Sequence, residues 1–298
     1  MNSPTEKLLA LDLAKHLKRS PEEHKGNAGK AILIGGAQGM AGALLLAGKA
    51  CLHLGAGWTI LEMLDPASAH AAEDSPELMI QLADSESAKT LAHHQPDLIA
   101  IGPGLGQSAQ ALEWLNASLA YSEIPLVIDA DAINLIAQSP DLVRTLQQRN
   151  QLFPGQTVLT PHPGEAGKLL QCSAEIVQAD RLGALKKLVS LTQSIVVLKG
   201  QHTLIAAPQH ATLECQEGNP GMGTGGMGDV LTGSITAIAV QGVRHQLNLW
   251  QSTGLAVQLH AAAADSLVAK GIGPLGLTPS ETILEMRSLL NKKVTELK

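Results

Sequence analysis

The residues most able to do chemistry lie in one glycine-rich stretch that carries a single carboxylate. Residues 218–233 form the sequence GNPGMGTGGMGDVLTG, with seven glycines in sixteen residues. After Asp229 the apolar residues recur at helical spacing, which predicts a helix that begins near Gly226. Glycines leave backbone N–H groups uncovered, and a helix N-terminus adds unpaired donors and a partial positive charge. The stretch therefore predicts an anion site, most naturally for phosphate, in which Asp229 accepts a proton.

Two other interpretations of this stretch compete with the anion site. One is a glycine-rich turn before a core helix, with Asp229 as its cap. The other is the dinucleotide-binding fingerprint G-x-G-x-x-G, whose spacing is matched by Gly223, Gly225 and Gly228. That fingerprint follows a strand and needs an acidic residue about twenty positions later. Here GNPGM precedes the match and Asn248 occupies the later position, so we reject the fingerprint and keep the capped turn as the alternative.

The composition favours a soluble α/β protein and argues against a nucleic-acid partner. The 298 residues are 45% apolar, enough for a buried core, whereas aromatic residues make up only 2% and the formal net charge is −6. Both the scarcity of aromatic residues and the negative charge disfavour DNA or RNA binding. The three cysteines are far apart and match neither a disulfide framework nor a zinc site. No signal peptide or membrane-spanning run is evident, so we expect a cytoplasmic protein without membrane contacts.

Short apolar runs alternate with helical patterns along the chain. The runs predict strands at 30–36, 57–63, 97–101, 125–129, 157–160 and 195–198, and an antiparallel pair at 202–207 and 211–215. Helices are predicted at 40–54, 109–121, 174–192 and 249–269, after residues 131, 165 and 279, and as an amphipathic helix with a polar approach within 1–29. This alternation predicts an α/β fold in which helices cover both faces of a mostly parallel sheet. Since no linker or repeat interrupts it, we expect one domain over residues 1–298.

Polar and glycine clusters follow the predicted strands. They are Gly35–Gly36, Gly102–Gly106, Asp129–Asn134, His162–Glu165 and Lys199–Gly200. Ligands of open α/β sheets bind beyond the carboxyl ends of the strands, so we expect these clusters to converge on one cleft with Asp229. Within them, Asp129, Asp131 and Asn134 are candidates for orienting a phosphate or a metal ion, and Asp131 is equally well explained as a helix cap.

Six segments, in order over about residues 24–242, resemble the ADP/ATP-dependent (S)-NAD(P)H-hydrate dehydratase family. They are GNAGKAILIGGAQGMAGA, DLIAIGPGLG, PLVIDADAINLIA, VLTPHPGE, VVLKGQHTLIA and GNPGMGTGGMGDVLTG. The family belongs to the ribokinase-like superfamily, so the resemblance implies a single-domain three-layer αβα sandwich with a mostly parallel central sheet. Many members carry an epimerase domain ahead of this one, and the length of the chain leads us to expect the dehydratase domain alone.

The resemblance implies removal of water from the S form of NADHX or NADPHX, in which the nicotinamide ring has been hydrated. ADP or ATP is consumed, because phosphate is placed on the ring hydroxyl and then leaves, which restores NADH or NADPH. Such a protein needs a base for the hydroxyl and donors for the phosphoryl group in flight. ADP, converted to AMP and phosphate, is the expected donor, and Mg²⁺ is the expected cofactor.

By resemblance, residues at matching positions are expected to have the family's catalytic and nucleotide-binding roles. Asp229 is the expected general base and also a contact of the hydrate, while Gly226 and Gly228 are expected to offer N–H groups to the phosphoryl group. The expected nucleotide-binding residues are Lys199, Gly200, Gln201, His202, Thr203 and Gly228. For Lys199, a phosphate ligand and a solvated strand end are equally good interpretations.

The remaining matched positions concern the hydrate and the metal ion. Ala43, Gly106 and His162 match positions that contact the hydrated cofactor. Glu165 keeps an acidic position associated with Mg²⁺, held through water because Mg²⁺ sheds its water reluctantly. Related kinases carry Asn in an N-x-x-E motif where this chain has His-Pro-Gly-Glu. The alternatives are a helix-start carboxylate for Glu165 and a backbone-bonded strand-end histidine for His162.

Two other functions stay open at this point. A small-molecule kinase acting on a vitamin alcohol or a sugar would have a similar cleft, since half of the dehydratase reaction is phosphoryl transfer. The histidine of PHPGE and the GPGLG turn favour the dehydratase. A non-catalytic nucleotide sensor is the second alternative, against which the intact G-M-G-D loop argues. The resemblance also implies a homotetramer, for which the Ala/Gly-rich helix at 40–55 is a candidate interface.

Overall fold

One ten-stranded sheet organises the computed structural model, which describes residues 5–70, 75–121 and 123–296. Its strands are β1 (Glu6–Lys7), β2 (Lys30–Gly35), β3 (Trp58–Met63), β4 (Met79–Leu82), β5 (Leu98–Ile101), β6 (Leu126–Ile128), β7 (Thr157–Leu159), β8 (Ile195–Leu198), β9 (Leu204–Ala206) and β10 (Leu213–Glu214). The strand order is β1-β10-β9-β8-β7-β6-β5-β2-β3-β4. Among the strands of the described residues, only β9 runs antiparallel to its two neighbours, β8 and β10. The predicted mostly parallel α/β sheet is therefore confirmed.

Helices cover both faces of this sheet. They are α1 (Ala41–His53), α2 (Ser87–His94), α3 (Ala109–Ala120), α4 (Ala130–Gln138), α5 (Pro140–Leu152), α6 (Pro163–Leu170), α7 (Ala174–Ala179), α8 (Arg181–Thr192), α9 (Met227–Gly242), α10 (Leu249–Ala269) and α11 (Pro279–Thr295). Side chains alternate between the faces of a strand, so Leu33 and Val127 enter one core and Ile32 and Ile128 the other. Helices α1, α9, α10 and α11 pack on the first face and α2 to α8 on the second. The three-layer αβα arrangement is confirmed.

The start of the chain differs from the predicted amphipathic helix. Residues 1–4 lie outside the described residues, β1 is extended, and Leu11–Leu17 forms a short 3-10 helix. The amide of Leu8 donates to the carbonyl of Glu214 at 2.8 Å, so the segment of β1 and Leu8 lies beside β10. Strand pairing at the sheet edge thus replaces the helix that the local periodicity suggested.

The predicted single helix at 174–192 is wrong, because the structure has two helices there, α7 and α8. The break falls at Asp180, which leaves the helical conformation with φ −141° and ψ 71°. Its carboxylate accepts the N–H of Gly183 at 2.8 Å and so caps the second helix. Aspartate favours such caps because its short side chain competes with the helix for backbone hydrogen bonds.

The small residues of α1 allow α9 to pack closely against it. A Cβ added to Gly233 of α9 would lie 2.0 Å from the carbonyl oxygen of Ala47. On the sheet side of α1, a Cβ on Gly48 would lie 2.9 Å from the side chain of Leu61. The Ala/Gly content of this helix therefore has a use within the subunit, and its role in an oligomer stays a prediction. Within the described ranges, no helix is long and apolar enough to cross a membrane.

Candidate functional site

The glycine-rich stretch ends at the N-terminus of α9, as predicted. Gly226 occupies the N-cap position with φ +94°, a left-handed conformation suited to glycine, and an added Cβ would lie 2.5 Å from Leu46. The helix begins at Met227, so Gly228 and the half-buried Asp229 belong to its first turn. First-turn amides have no carbonyl partner within their own helix. The geometry of an anion site, with a carboxylate beside it, is therefore present.

Asp129, which directly follows β6, is the buried centre of the charged cluster next to α9. Its carboxylate is 1% exposed and accepts hydrogen bonds from Lys199 Nζ, Thr160 Oγ1 and Thr232 Oγ1, each at 2.7 Å. Burial alone would raise the pKa of this group, but the charge of Lys199 and the three hydrogen bonds hold it below its ordinary value. Protein donors thus occupy both oxygens. Asp129 therefore positions Lys199, and its expected role in orienting phosphate or a metal ion stays a prediction.

Lys199 lies among three carboxylates. Its Nζ is 3.9 Å from Glu165 Oε2, and the charges of Asp129, Glu165 and Asp229 keep its pKa raised although burial opposes this. Burial, followed by the charge of Asp129, raises the pKa of Asp229 to about 6. Burial also raises the pKa of Glu165 to about 7, against the opposing effect of Lys199. A carboxylate with a pKa near 6 is ionised at neutral pH and is a stronger base than an exposed aspartate.

His162 and Glu165 form the start of α6. The ring nitrogen Nδ1 of His162 accepts the N–H of Gly164 at 2.9 Å, and Glu165 Oε2 accepts the N–H of His162 at 2.8 Å. This reciprocal pair is a capping box, so Glu165 has the helix-start role and His162 the backbone hydrogen bond that were named as alternatives. The imidazole of His162 is nevertheless 56% exposed, with Nε2 3.3 Å from Glu165 Oε1. Its contact with the hydrate and the metal role of Glu165 stay predictions.

Ala43 and Gly106 lie on facing segments beside this cluster. A Cβ added to Gly104 would be 3.2 Å from the Cβ of Ala43, which brings the turn after β5 against α1. The N–H of Gly106 donates to Asp131 Oδ2 at 2.9 Å, so Asp131 holds this turn. The charge of Asp131 also contributes to the raised pKa of Asp229. Asp131 therefore links the turn of Gly106 to the expected base, and the contact of Ala43 and Gly106 with the hydrate stays a prediction.

A cavity of about 500 Å³ is lined by all six residues expected to bind the nucleotide, together with others. The six are Lys199, Gly200, Gln201, His202, Thr203 and Gly228. The facing wall is largely apolar and includes Leu231, Val257 and Ala261. Its size and mixed lining are those of a small-ligand site. Since a Cβ on Gly228 would lie 3.4 Å from Lys199 Nζ, these two residues join the cavity to the charged cluster.

One residue that lines this cavity and one that supports its loop were not predicted from the sequence. His260 of α10 lines it, is 5% exposed, and has a buried Nε2 without a hydrogen-bond partner. Burial, assisted by Lys199, lowers its pKa to about 4, so the ring is neutral and can exchange a hydrogen bond with a ligand. Arg181 donates to the carbonyls of Leu198 at 3.0 Å and His202 at 3.2 Å, and also to that of Gln201, which fixes the loop at 199–203. A histidine in an apolar helix and an arginine at a helix start carry no distinctive sequence pattern.

The charge of the cluster formed by Asp129, Glu165, Asp229 and Lys199 is suited to binding Mg²⁺. Three carboxylates surround one ammonium group, which leaves an excess of negative charge that a divalent cation would offset. Among the described residues, no three His, Cys, Asp or Glu side chains are placed to share an ion. Mg²⁺ commonly binds through one or two carboxylates together with phosphates and water. Glu165 and Asp229 are the carboxylates that could meet it in that way.

The comparisons with known proteins agree with this geometry. The family model for NAD(P)H-hydrate dehydratase matches residues 31–284. The chain is 38% identical over 269 residues to the bifunctional NAD(P)H-hydrate repair enzyme Nnr of Vibrio cholerae, a match that covers 90% of this chain and 51% of the relative. This chain thus spans about half the length of that relative.

Two solved structures share the fold over nearly the whole chain. The ADP/ATP-dependent NAD(P)H-hydrate dehydratase of Bacillus subtilis, co-crystallised with ATP and Mg²⁺, has a TM-score of 0.81 at 25% identity and covers 97% of this chain and 99% of its own. A ribokinase-like superfamily protein of Enterococcus faecalis has a TM-score of 0.81 at 26% identity and covers 99% of both chains. The ribokinase-like fold is thereby confirmed. The chain belongs to the NAD(P)H-hydrate dehydratase family.

Proposed function

We propose that this domain, predicted to extend over residues 1–298, dehydrates the S form of NADHX or NADPHX with ADP as phosphoryl donor. The products are NADH or NADPH, AMP and phosphate. One observation carries the proposal: Gly228, next to Asp229 in the first turn of α9, lines the 500 Å³ cavity, and Asp131, whose charge acts on Asp229, holds the turn of Gly106 that packs against α1. Family membership and the nucleotide in the Bacillus structure support the same assignment.

The nucleotide occupies the cavity in this proposal. Its base lies against the apolar wall from α9 and α10, and its phosphates extend toward Lys199 and Gly228. The amides at the start of α9 and the ammonium of Lys199 then meet the phosphoryl group with positive charge and N–H donors. Arg181 holds the loop at 199–203 in place for this contact.

The hydrated ring lies beside Ala43 and Gly106 with its hydroxyl directed at Asp229. Asp229 takes the hydroxyl proton as the oxygen attacks the terminal phosphorus of ADP, and the bond to AMP breaks. The ring nitrogen then expels the phosphate, and the neighbouring ring carbon loses a proton to restore the double bond. When bound, Mg²⁺ would neutralise charge on the transferring phosphate, with Glu165 holding it through water.

The reaction stoichiometry tests the proposal. Protein, Mg²⁺, ADP and NADHX are mixed, and the absorbance of the reduced ring is followed together with phosphate release. We expect one mole each of NADH, phosphate and AMP per mole of NADHX, with no stable phosphorylated product. Replacing ADP with ATP in the same assay determines the preferred donor. A protein that leaves NADHX unchanged but phosphorylates a vitamin alcohol is a kinase, and one that binds ADP without turnover is a sensor.

The resemblance also implies a homotetramer, and the sequence led us to expect a cytoplasmic protein; we retain both expectations as part of the proposal. Sedimentation equilibrium tests the first expectation and cell fractionation the second. A monomer at micromolar concentration would remove the tetramer from the proposal without affecting the chemistry.

A further inference from the structure

A second cavity, of about 330 Å³, lies at the β4 edge of the sheet between β3, β4 and α2. Its polar lining consists of Glu62, Gln81, Asp84, Lys89, Thr90, His93 and His94. It shares no lining residue with the nucleotide cavity, and strands β5 and β2 separate it from the strands that carry Asp129, His162 and Lys199. The reaction proposed above uses none of these side chains.

Glu62 is the unusual member of this lining. It is 1% exposed, and its Oε1 is buried without a hydrogen-bond partner. The nearest cationic candidate is His94 Nε2, at 3.5 Å, but that nitrogen lies 3.0 Å from Gln81 Oε1. Because an amide oxygen only accepts, the proton on Nε2 is directed to Gln81. A buried carboxylate oxygen without a donor is costly, so its presence at a cavity points to a donor that arrives with a ligand.

The charges around the cavity favour a positive ligand. Asp84 supplies a second carboxylate, which is held in place by the hydroxyl of Thr90 at 3.1 Å. Burial and then the charge of Asp84 raise the pKa of Glu62 to about 7. The pKa of His94 is lowered, mainly by burial, so its ring is neutral at pH 7. Lys89 also lines the cavity, but its ammonium is paired with Glu86, so Glu62 and Asp84 leave an excess of negative charge there.

The arrangement of the side chains favours a molecule over a metal ion. No three His, Cys, Asp or Glu side chains of the described ranges are arranged to share a metal ion. We propose that this cavity binds a small organic cation, whose ammonium or guanidinium N–H groups meet the unpartnered oxygen of Glu62. Such charge-assisted hydrogen bonds are among the strongest in proteins, and a guanidinium group can form two of them with one carboxylate. Asp84 lies within electrostatic reach of Glu62 and adds attraction for a second positive group.

Agmatine, which carries an ammonium and a guanidinium group, is a suitable probe. Isothermal titration calorimetry of the full chain at pH 8 is expected to give one saturable site. Glu62→Gln keeps the side-chain size and removes the charge, and should weaken binding about tenfold to a hundredfold. Glu175→Gln, the same change at an exposed position of α7, should leave the affinity unchanged. Binding should also weaken between pH 8 and pH 6, because protonation of Glu62 through its pKa of about 7 removes the ion pair.

The stability of the variant separates binding from folding. Glu62→Gln removes a buried charge that has no donor, so without agmatine the melting temperature of the variant should equal or exceed that of the wild type. Thr90→Lys offers an alternative test, because it places an ammonium group in the cavity while Glu62 is kept, and should abolish agmatine binding. Equal affinity in Glu62→Gln, saturable binding of zinc chloride in place of agmatine, or no saturable heat with either would overturn the proposal.

Discussion

The buried pair of Asp129 and Lys199 allows a quantitative test of how the site is held together. Asp129→Asn would leave the ammonium of Lys199 with Glu165 at 3.9 Å as its nearest remaining carboxylate. Lys199→Met would leave the carboxylate of Asp129 with two threonine hydroxyls and no cation. Removing one partner of a buried ion pair lowers the free energy of unfolding by about 3–5 kcal/mol. Because each remaining group keeps some contacts, we expect a loss near 3 kcal/mol for either single variant. The double variant removes both charges, so its loss should equal that of one single variant rather than the sum.

Urea unfolding followed by tryptophan fluorescence measures this coupling. The expected interaction free energy is about 3 kcal/mol in the double-mutant cycle. The matched control is the exposed pair of Asp12 and Lys15, whose charged atoms are 3.4 Å apart with side chains 84% and 32% exposed. The same substitutions there, Asp12→Asn and Lys15→Met, should couple by less than about 1 kcal/mol because solvent screens the pair.

The two pairs should therefore differ clearly. Additive losses at Asp129 and Lys199, with a coupling below about 0.5 kcal/mol, would refute the interpretation that this pair is desolvated and mutually dependent. Nucleotide binding by the double variant adds a second readout. If Lys199 is positioned for phosphate, the double variant should be more stable than the sum of the two single losses predicts. Its nucleotide affinity should nevertheless stay low, because the ammonium group is gone.

Four further outcomes are expected at the site. Asp229→Asn should still bind nucleotide, but its turnover should fall by about 10²–10⁴-fold. In the wild type, kcat/KM should rise with pH through about 6, because the carboxylate of Asp229 must lose its proton to act as a base. Glu165→Gln should raise the Mg²⁺ concentration needed for half-maximal rate more than the KM for NADHX, and an unchanged Mg²⁺ dependence would leave Glu165 with its capping role alone. His162→Ala should raise the KM for NADHX with little change in that for ADP, measured in one progress-curve assay. Arg181→Met should raise the KM for ADP, whereas Arg144→Met on the exposed face of α5 should not.

The alternation of apolar runs and helical patterns predicted the sheet and most of its helices, because buried parallel strands leave a clear apolar pattern. The two strands that were missed, β1 and β4, lie at the edges of the sheet. In strand β4 (Met79–Leu82) the two end residues are exposed and the two middle ones half-buried, and Gln81 interrupts its short apolar sequence. Strand β1 is two residues long and depends on its pairing with β10. Such elements are fixed by partners distant in sequence, which local periodicity does not contain.

The sequence predicted the segments that form the site, but not the hydrogen bonds that join them. The glycine-rich stretch and the loop at 199–203 do line one cavity, because glycine content and strand ends are local properties. By contrast, the hydrogen bonds of Asp129 with Thr160 and Thr232 span 31 and 103 positions of the chain. The role of Asp131 in holding Gly106 also depends on a contact between two strand ends. Only the folded chain shows which polar residues are already satisfied by the protein and which remain for a ligand.

Lys199 shows why this distinction matters for function. From the sequence, a phosphate ligand and a solvated strand end were equally good interpretations. In the structure its side chain is only 18% exposed, and Asp129 fixes it at the junction of the cavity and the carboxylate cluster. Burying an ammonium group is costly unless it is paired, and the paired group is then already oriented when substrate arrives. Because such preorganised charge needs no rearrangement during phosphoryl transfer, the pair places Lys199 where an incoming phosphate would be stabilised most.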